Sequence, residues 1–301
     1  MKILVTDGMD KSALAKLREL GHEVTEQYYE PDKLGKALRD YDVAVVRSKT
    51  KIRAGHIDES RGGRLKLIIR GGIGVDNIDV DYAKENGIAV RNTPDASSQS
   101  VAELALAHLL ACARFVSHAG YTMREGKWEK NAYGKGIELA GKRLGIYGYG
   151  RIGKRLGSMA KAMGMNVLAL RRSAEPESID DIGIIYVSEE KLLRTCDFIS
   201  VHAPSSPKGP IITAEKIAQM KDGVCIVNTS RGANVDESAL LNALNSGKVR
   251  AAGLDVYEDE PTHNMDLISH PHVSCTPHIG AATVEAQKRI GKEIVSIISS
   301  M

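Results

Sequence analysis

Apolar residues come in short runs along this chain, and the runs alternate with stretches where they recur every three or four positions. "KILVTD", "HEVTEQ", "DVAVVRS", "LKLIIRGG" and "IAVRNTP" have the length and content of strands. Between the first two, "MDKSALAKLREL" puts Leu14, Leu17 and Leu20 on one helical face, with Asp10 as N-cap. A long helical stretch from 98 to about 124 separates this group from a second one. Its strands are "KRLGIYG", "NVLALRR", "FISVHAP", "VCIVNTS", "RAAGLDV" and "HVSCTPH". The last segment, 282–300, carries Ile290, Ile294, Ile297 and Ile298 at helical spacing. The alternation predicts an α/β fold with two doubly wound parallel sheets. One unit spans 1–95 plus a returning terminal helix at 282–301, and the other spans 96–281.

Composition changes this picture little. The 301 residues suffice for two domains with real cores. A net charge of +3, no basic tail and 4% aromatic residues speak against a nucleic-acid partner. Cys112, Cys196, Cys225 and Cys275 show no metal-ligand spacing, so no metal is expected and each reads as a reduced core residue. "MKILVTDG" reads as a strand, not a signal peptide, and the apolar stretch 101–120 contains Glu103, His108 and Arg114, which excludes a membrane span. A cytoplasmic enzyme is the expectation.

Candidate chemistry begins at "LGIYGYGRIGKRLGSMAKAMG". Gly148-x-Gly150-x-x-Gly153 follows an apolar strand, and Ile152, Leu156, Met159, Ala160 and Met163 form a helical face behind it. That context marks a dinucleotide loop. Gly148 permits the turn, Gly150 lets the backbone approach a diphosphate and Gly153 lets helix and strand pack. Arg151 and Ile152 open the helix whose N–H groups would receive the anion. Three later strands end in "NTSRG", "GLDVYEDEP" and "TPHIGAAT", which bring Arg231, Glu260 and His278 to the sheet edge that faces ligand in open parallel sheets.

These four motifs, in this order, resemble the D-isomer-specific 2-hydroxyacid dehydrogenase family along essentially the whole chain. The resemblance implies a flavodoxin-like substrate domain and a Rossmann dinucleotide-binding domain. It implies that Arg231, Glu260 and His278 form the catalytic set. His278 would exchange a proton with the substrate oxygen, Glu260 would orient the ring and raise its pKa, and Arg231 would hold the carboxylate. It also gives Asp255 to the nicotinamide amide. His202, Ala203 and Pro204 of "VHAP", with Thr229 and Ser230, fall to the rest of the cofactor. A homodimer formed through the nucleotide-binding domain, with 98–124 contributing, is implied as well.

Two features refine the resemblance. "VVRSKTKI" and "LIIRGGIGVDNIDVDYAKENGIAVRNTP" resemble 3-phosphoglycerate dehydrogenases. Arg47 and Arg70 would face the inter-domain cleft and read a substrate phosphate, and Gly72, Ile73 and Gly74 would offer N–H groups to its carboxylate. The substrate pair expected is 3-phosphoglycerate and 3-phosphohydroxypyruvate, as in serine biosynthesis. The alternatives are a glyoxylate/hydroxypyruvate reductase and, in another class, a dinucleotide-sensing corepressor. A C-terminal regulatory extension beyond the terminal helix, and feedback through one, are not expected. The second feature is "NVLALRRSA". Eighteen residues past Gly153, where a ribose-binding acid is expected, stand Arg171, Arg172 and Ser173. Positive charge there favours NADP(H), with NAD(H) as the alternative.

Overall fold

Strand after strand buries both of its faces. β1 (Lys2–Val5) turns Ile3 and Val5 into one apolar layer and Leu4 into the other, and β3 (Val43–Val46) divides its four residues in the same way. Strands buried on both faces belong in parallel sheets covered by helices. The computed structural model, which describes residues 1–171 and 175–301, shows two such sheets. The chain divides into two compact units, Met1–Ser98 with Ala281–Met301, and Gln99–Gly280.

In the first unit, α1 (Lys11–Glu19) follows β1. Next come β2 (Glu23–Glu26), α2 (Pro31–Leu38), β3, α3 (Ala54–Ser60), β4 (Leu67–Arg70), α4 (Val80–Glu85) and β5 (Ala89–Asn92). The sheet order is β2-β1-β3-β4-β5, parallel throughout. Asp10 caps α1 by accepting from the Ser12 and Ala13 N–H groups. Leu14 and Leu17 enter the core, whereas Leu20 lies past the helix end and is 46% exposed, so the predicted three-leucine face stops at two.

The second unit opens with the long helical stretch, and here the structure departs from one continuous helix. α5 (Ser98–Arg114) and α6 (Val116–Arg124) meet at 70°, broken at Phe115, whose φ of 56° is left-handed. The Phe115 ring packs 5.5 Å from that of His272 and 4.9 Å from the Arg250 guanidinium. No single helix among the described residues is long and apolar enough to cross a membrane. The elements that follow are β6 (Arg143–Tyr147), α7 (Arg151–Ala162), β7 (Asn166–Leu170), β8 (Ile185–Tyr186), α8 (Glu189–Thr195) and β9 (Phe198–Val201). After them come α9 (Ala214–Gln219), β10 (Val224–Asn228), α10 (Glu237–Ser246), β11 (Val249–Leu254), α11 (Met265–Ile268) and β12 (Val273–Cys275). Their sheet is β12-β11-β10-β9-β6-β7-β8, seven parallel strands where six are predicted. The extra one, β8, is two residues on the edge, too short to show a period. Met163, at the C-cap of α7, is 37% exposed and drops out of the predicted face.

α12 (Val284–Ser299) belongs to the first unit, where Ile290, Ile294 and Ile298 pack with Leu14 and Leu17 of α1. Of the four cysteines, Cys112, Cys196 and Cys225 are buried. Cys275 is exposed, against expectation, because it ends an edge strand.

Candidate active site

The loop between β6 and α7 shows why three glycines stand there. Gly148 has φ +92°, and a Cβ on it would come within 2.7 Å of the Ala203 nitrogen. A Cβ on Gly153 would come within 2.7 Å of the Gly148 carbonyl oxygen. Gly150 differs, since a Cβ there would meet nothing within 4 Å. It is also the N-cap of α7 and gives that helix no side-chain cap, so the open space lies at the positive end of the helix, where Arg151 and Ile152 begin. Two glycines serve packing, and the third keeps room beside amide donors. The residues present fit a dinucleotide diphosphate.

Beside the loop lies a cavity of about 760 Å³, lined among others by Gly148, Gly150, Arg171, His202, Ala203 and Pro204. Its size suits a small-molecule or cofactor site. Arg171 follows β7 directly and lines it, while Arg172 and Ser173 lie outside the described residues. His202 Nε2 pairs with Ser200 Oγ at 2.9 Å, but Nδ1 is buried without a partner among the described residues, as is Thr229 Oγ1. The two residues follow neighbouring strands, β9 and β10, so two unmet polar atoms stand on adjacent strand ends. Burial pushes the His202 pKa down to about 4, which keeps the imidazole neutral. Sequence reasoning missed Lys208, Lys216 and Glu189, which also line the cavity. Lys216 is neutralised by Glu189 at 2.5 Å. Only the packing of α8 against α9 brings that pair together.

β10, β11 and β12 are neighbours, so the loops after them converge. Asn228 shapes the first. It accepts from the Ser230 N–H at 3.1 Å and from Ser230 Oγ at 2.7 Å, and it donates to the Arg231 carbonyl at 2.8 Å. Gly232 then admits the Tyr257 carbonyl where any side chain would overlap it. Past β11, Glu260 Oε1 accepts from the Tyr257 N–H at 3.2 Å, and Oε2 lies 2.7 Å from His278 Nδ1. Burial works to raise the Glu260 pKa. The His278 hydrogen bond and charge, the Tyr257 N–H and the Arg231 charge outweigh it and hold the carboxyl below its ordinary value. Glu260 is therefore a carboxylate fixed on Nδ1, leaving His278 Nε2 for a ligand. Arg231, Glu260 and His278 share one electrostatic neighbourhood.

The His278 loop is held from below. Asp255, given to the nicotinamide amide in the sequence reading, is 1% exposed and holds the loop that carries His278. Its carboxylate accepts from the Ile279 and Gly280 N–H groups, both at 2.8 Å, and from Thr276 Oγ1 at 2.6 Å. Since Thr276 donates to Asp255, it accepts from His108 Nε2 at 3.1 Å. His108 Nδ1 then accepts from Ser274 Oγ at 3.0 Å, and Ser274 from Ser117 Oγ at 2.8 Å. Desolvation lowers the His108 pKa against the pull of Asp255, consistent with one proton on the ring. His278 itself takes φ 54°.

In the first unit, Arg47 follows β3 and Arg70 ends β4. The pairing of Val46 with Arg70 puts the two arginines on adjacent strand ends. Gly72, at φ +149°, leaves space that the Arg70 guanidinium fills. Ile73, whose carbonyl accepts from Asn92 at 2.6 Å, and Gly74 continue the loop half-buried.

A glycine loop opening a helix, a neutral histidine on the adjacent strand and a Glu–His pair beside an arginine define a nicotinamide-dependent oxidoreductase. Residues 106–280 match the model of the D-isomer specific 2-hydroxyacid dehydrogenase NAD-binding domain. The chain is 49% identical to hydroxypyruvate reductase of Thermotoga maritima, over 99% of this chain and 97% of that one. It is 43% identical to D-3-phosphoglycerate dehydrogenase of Methanocaldococcus jannaschii over all of its own length, but spans only 57% of that relative. Among solved structures, a glyoxylate reductase from Paecilomyes thermophila aligns with a TM-score of 0.88 at 32% identity, over 100% of this chain and 94% of that one. The chain belongs to the D-isomer-specific 2-hydroxyacid dehydrogenase family. It is an enzyme acting on the CH–OH group of 2-hydroxy acids, with a nicotinamide dinucleotide as cofactor.

Proposed function

We propose that the protein reduces a three-carbon 2-keto acid of the hydroxypyruvate type with NADPH. The observation that carries this is the Glu260–His278 pair at 2.7 Å with Arg231 charge beside it. Arg231 holds the substrate carboxylate and polarises the keto group. The bound dinucleotide supplies the hydride. His278 Nε2 gives the proton to the developing alkoxide, and Glu260, a carboxylate throughout, fixes the tautomer and balances the imidazolium before transfer. The amides opening α7 hold the diphosphate, and His202 and Thr229 meet ribose hydroxyls. The NADP(H) preference rests on Arg171 in the cavity wall, where a guanidinium pairs with a 2′-phosphate that an acid would repel.

Whether C3 carries a free hydroxyl or a phosphate divides two readings. Identity of 49% over 97% of a hydroxypyruvate reductase favours the hydroxyl. Arg47 and Arg70 on adjacent strand ends favour the phosphate. A steady-state panel of hydroxypyruvate, 3-phosphohydroxypyruvate and glyoxylate with NADPH and NADH tests all of this. The proposal expects a hydroxypyruvate-type acid as best substrate and NADPH ahead of NADH, with Arg171→Asp reversing the cofactor order. NADH used equally well by the wild type defeats the cofactor assignment. Under the phosphate reading, Arg47→Ala and Arg70→Ala lower kcat/KM for the phosphorylated acid alone, each by roughly tenfold or more.

The proposal includes a homodimer through the α5–α6 region. Val116, Tyr121 and Met123 are exposed there, and Trp128 just beyond is 79% exposed. Apolar groups gathered on one stretch of surface mark an interaction face.

A further inference from the structure

We propose that the first unit carries a second small-molecule site, for a phosphate-bearing ligand with a flat apolar body, at the switch point of its sheet. The order β2-β1-β3-β4-β5 reverses between β1 and β3. Open parallel sheets bind ligands outside the carboxyl ends of the strands at such a reversal. A cavity of about 400 Å³ lies there, within the usual range for small-molecule sites. Tyr28 and Tyr29, past β2, form one wall with Leu34 of α2, and Lys49, Thr50 and Lys51, past β3, form the other. None of the residues assigned to the keto-acid substrate lines it, and no carboxylate does.

The loop bearing the lysines is fixed by other residues. The Asp7 carboxylate accepts from the Arg47 N–H at 2.7 Å, from the Thr50 N–H at 3.0 Å and from Thr50 Oγ1 at 2.6 Å. The Asn77 amide donates to the Arg47 and Thr50 carbonyls, both at 2.7 Å. Neither lysine takes part. The other cationic residues at the cavity are already engaged. Arg53 binds Asp79 at 2.9 Å, and His56 takes the Arg53 N–H on Nδ1 and presents Nε2 to the Pro31 carbonyl. Lys49 instead lies 3.8 Å from the Tyr28 ring centroid, and Lys51 is exposed. Among the described residues neither lysine has a carboxylate partner.

Two ammonium groups on a fixed backbone suit a phosphate dianion, and little ordering is left for binding to pay for. The tyrosines, Leu34 and Pro31 offer an apolar wall to what the phosphate is attached to. This site is independent of the reaction proposed above.

The test is a calorimetric titration of the full chain with phenyl phosphate, with oxidised dinucleotide and unphosphorylated hydroxypyruvate, which cannot exchange hydride with each other, present at saturation. One equivalent is expected to bind more tightly than inorganic phosphate. Lys49→Gln and Lys51→Gln should each weaken it about tenfold. Both side chains are exposed and hold nothing in place, so circular dichroism and thermal unfolding should match the wild type. Absence of saturable binding by the wild type overturns the proposal. So does a Lys49→Gln/Lys51→Gln double variant that binds equally well, or an Arg47→Ala variant that weakens binding as much as the lysine changes do.

Discussion

At position 278 a histidine holds a left-handed backbone, φ 54°, at a cost of roughly 1–2 kcal/mol. The surroundings that enforce it are the Asp255 carboxylate and the hydrogen-bonded series from Ser117 through Ser274, His108 and Thr276. Replacing His108 by Leu leaves two buried hydroxyls without a ring partner, which should cost about 1–3 kcal/mol in chemical unfolding. It should also lower kcat more than it raises KM for the keto acid, because the His278 loop loses its support. Unchanged kcat in a folded His108→Leu protein contradicts that role. Arg231, Glu260 and His278 were legible in the sequence because each sits in a motif after a strand. The hydrogen bonds of Asp255 were not, because its partners, 21 to 25 residues away, are the Thr276 hydroxyl and two backbone N–H groups, the latter invisible to any side-chain pattern. His108 was hidden further, in a helix 166 residues from Ser274.

The strand–loop–helix around Gly148 to Gly153 separates packing from binding, and substitutions can show it. Gly148→Ala forces a Cβ against the Ala203 backbone at φ +92° and should destabilise the protein. Gly150→Ala meets open space, so stability should be nearly unchanged while dinucleotide affinity falls, since the methyl enters the room kept for the diphosphate. Intact affinity in Gly150→Ala would place the diphosphate elsewhere. The end of β9 adds a pH dependence. Unfolded, His202 takes a proton near pH 6.5, whereas folded it does so only near pH 4. Between these values the unfolded chain binds more protons, so stability falls as pH drops through that window, by about 3 kcal/mol at most, with no penalty above pH 6.5. His202→Gln should flatten this slope in urea unfolding, and identical slopes in both proteins contradict the assignment. Strand positions followed from apolar runs wherever a strand had three or more residues, whereas the sheet order came only with the structure. β8 has two, and the break at Phe115 leaves no mark in the apolar period, so both escaped the sequence reading.

Across the whole molecule, two α/β units are built on the same principle and given different chemistry at their strand ends. The alternation of runs was enough to read both sheets, since the central strands, such as β1, β3, β9 and β10, are buried on both faces. The pocket between the Tyr28 and Lys49 loops was not legible, because no motif marks it and only the strand order brings those loops together. The exposed α5–α6 surface predicts a dimer in sedimentation equilibrium, and Trp128→Glu with Met123→Glu should shift it toward monomer. A wild type that sediments as a monomer at micromolar concentration contradicts the dimer. The central claim is that His278, oriented by Glu260, passes the proton while hydride is transferred to a hydroxypyruvate-type keto acid. Its most direct test is steady-state consumption of NADPH with hydroxypyruvate and 3-phosphohydroxypyruvate by the wild type and by His278→Asn, together with dinucleotide affinity of both proteins. The account predicts turnover of at least one of the two acids by the wild type, a kcat lower by ~10²–10⁴-fold in the variant and equal dinucleotide affinity. A variant with near wild-type kcat, or a wild type that turns over neither acid, contradicts it.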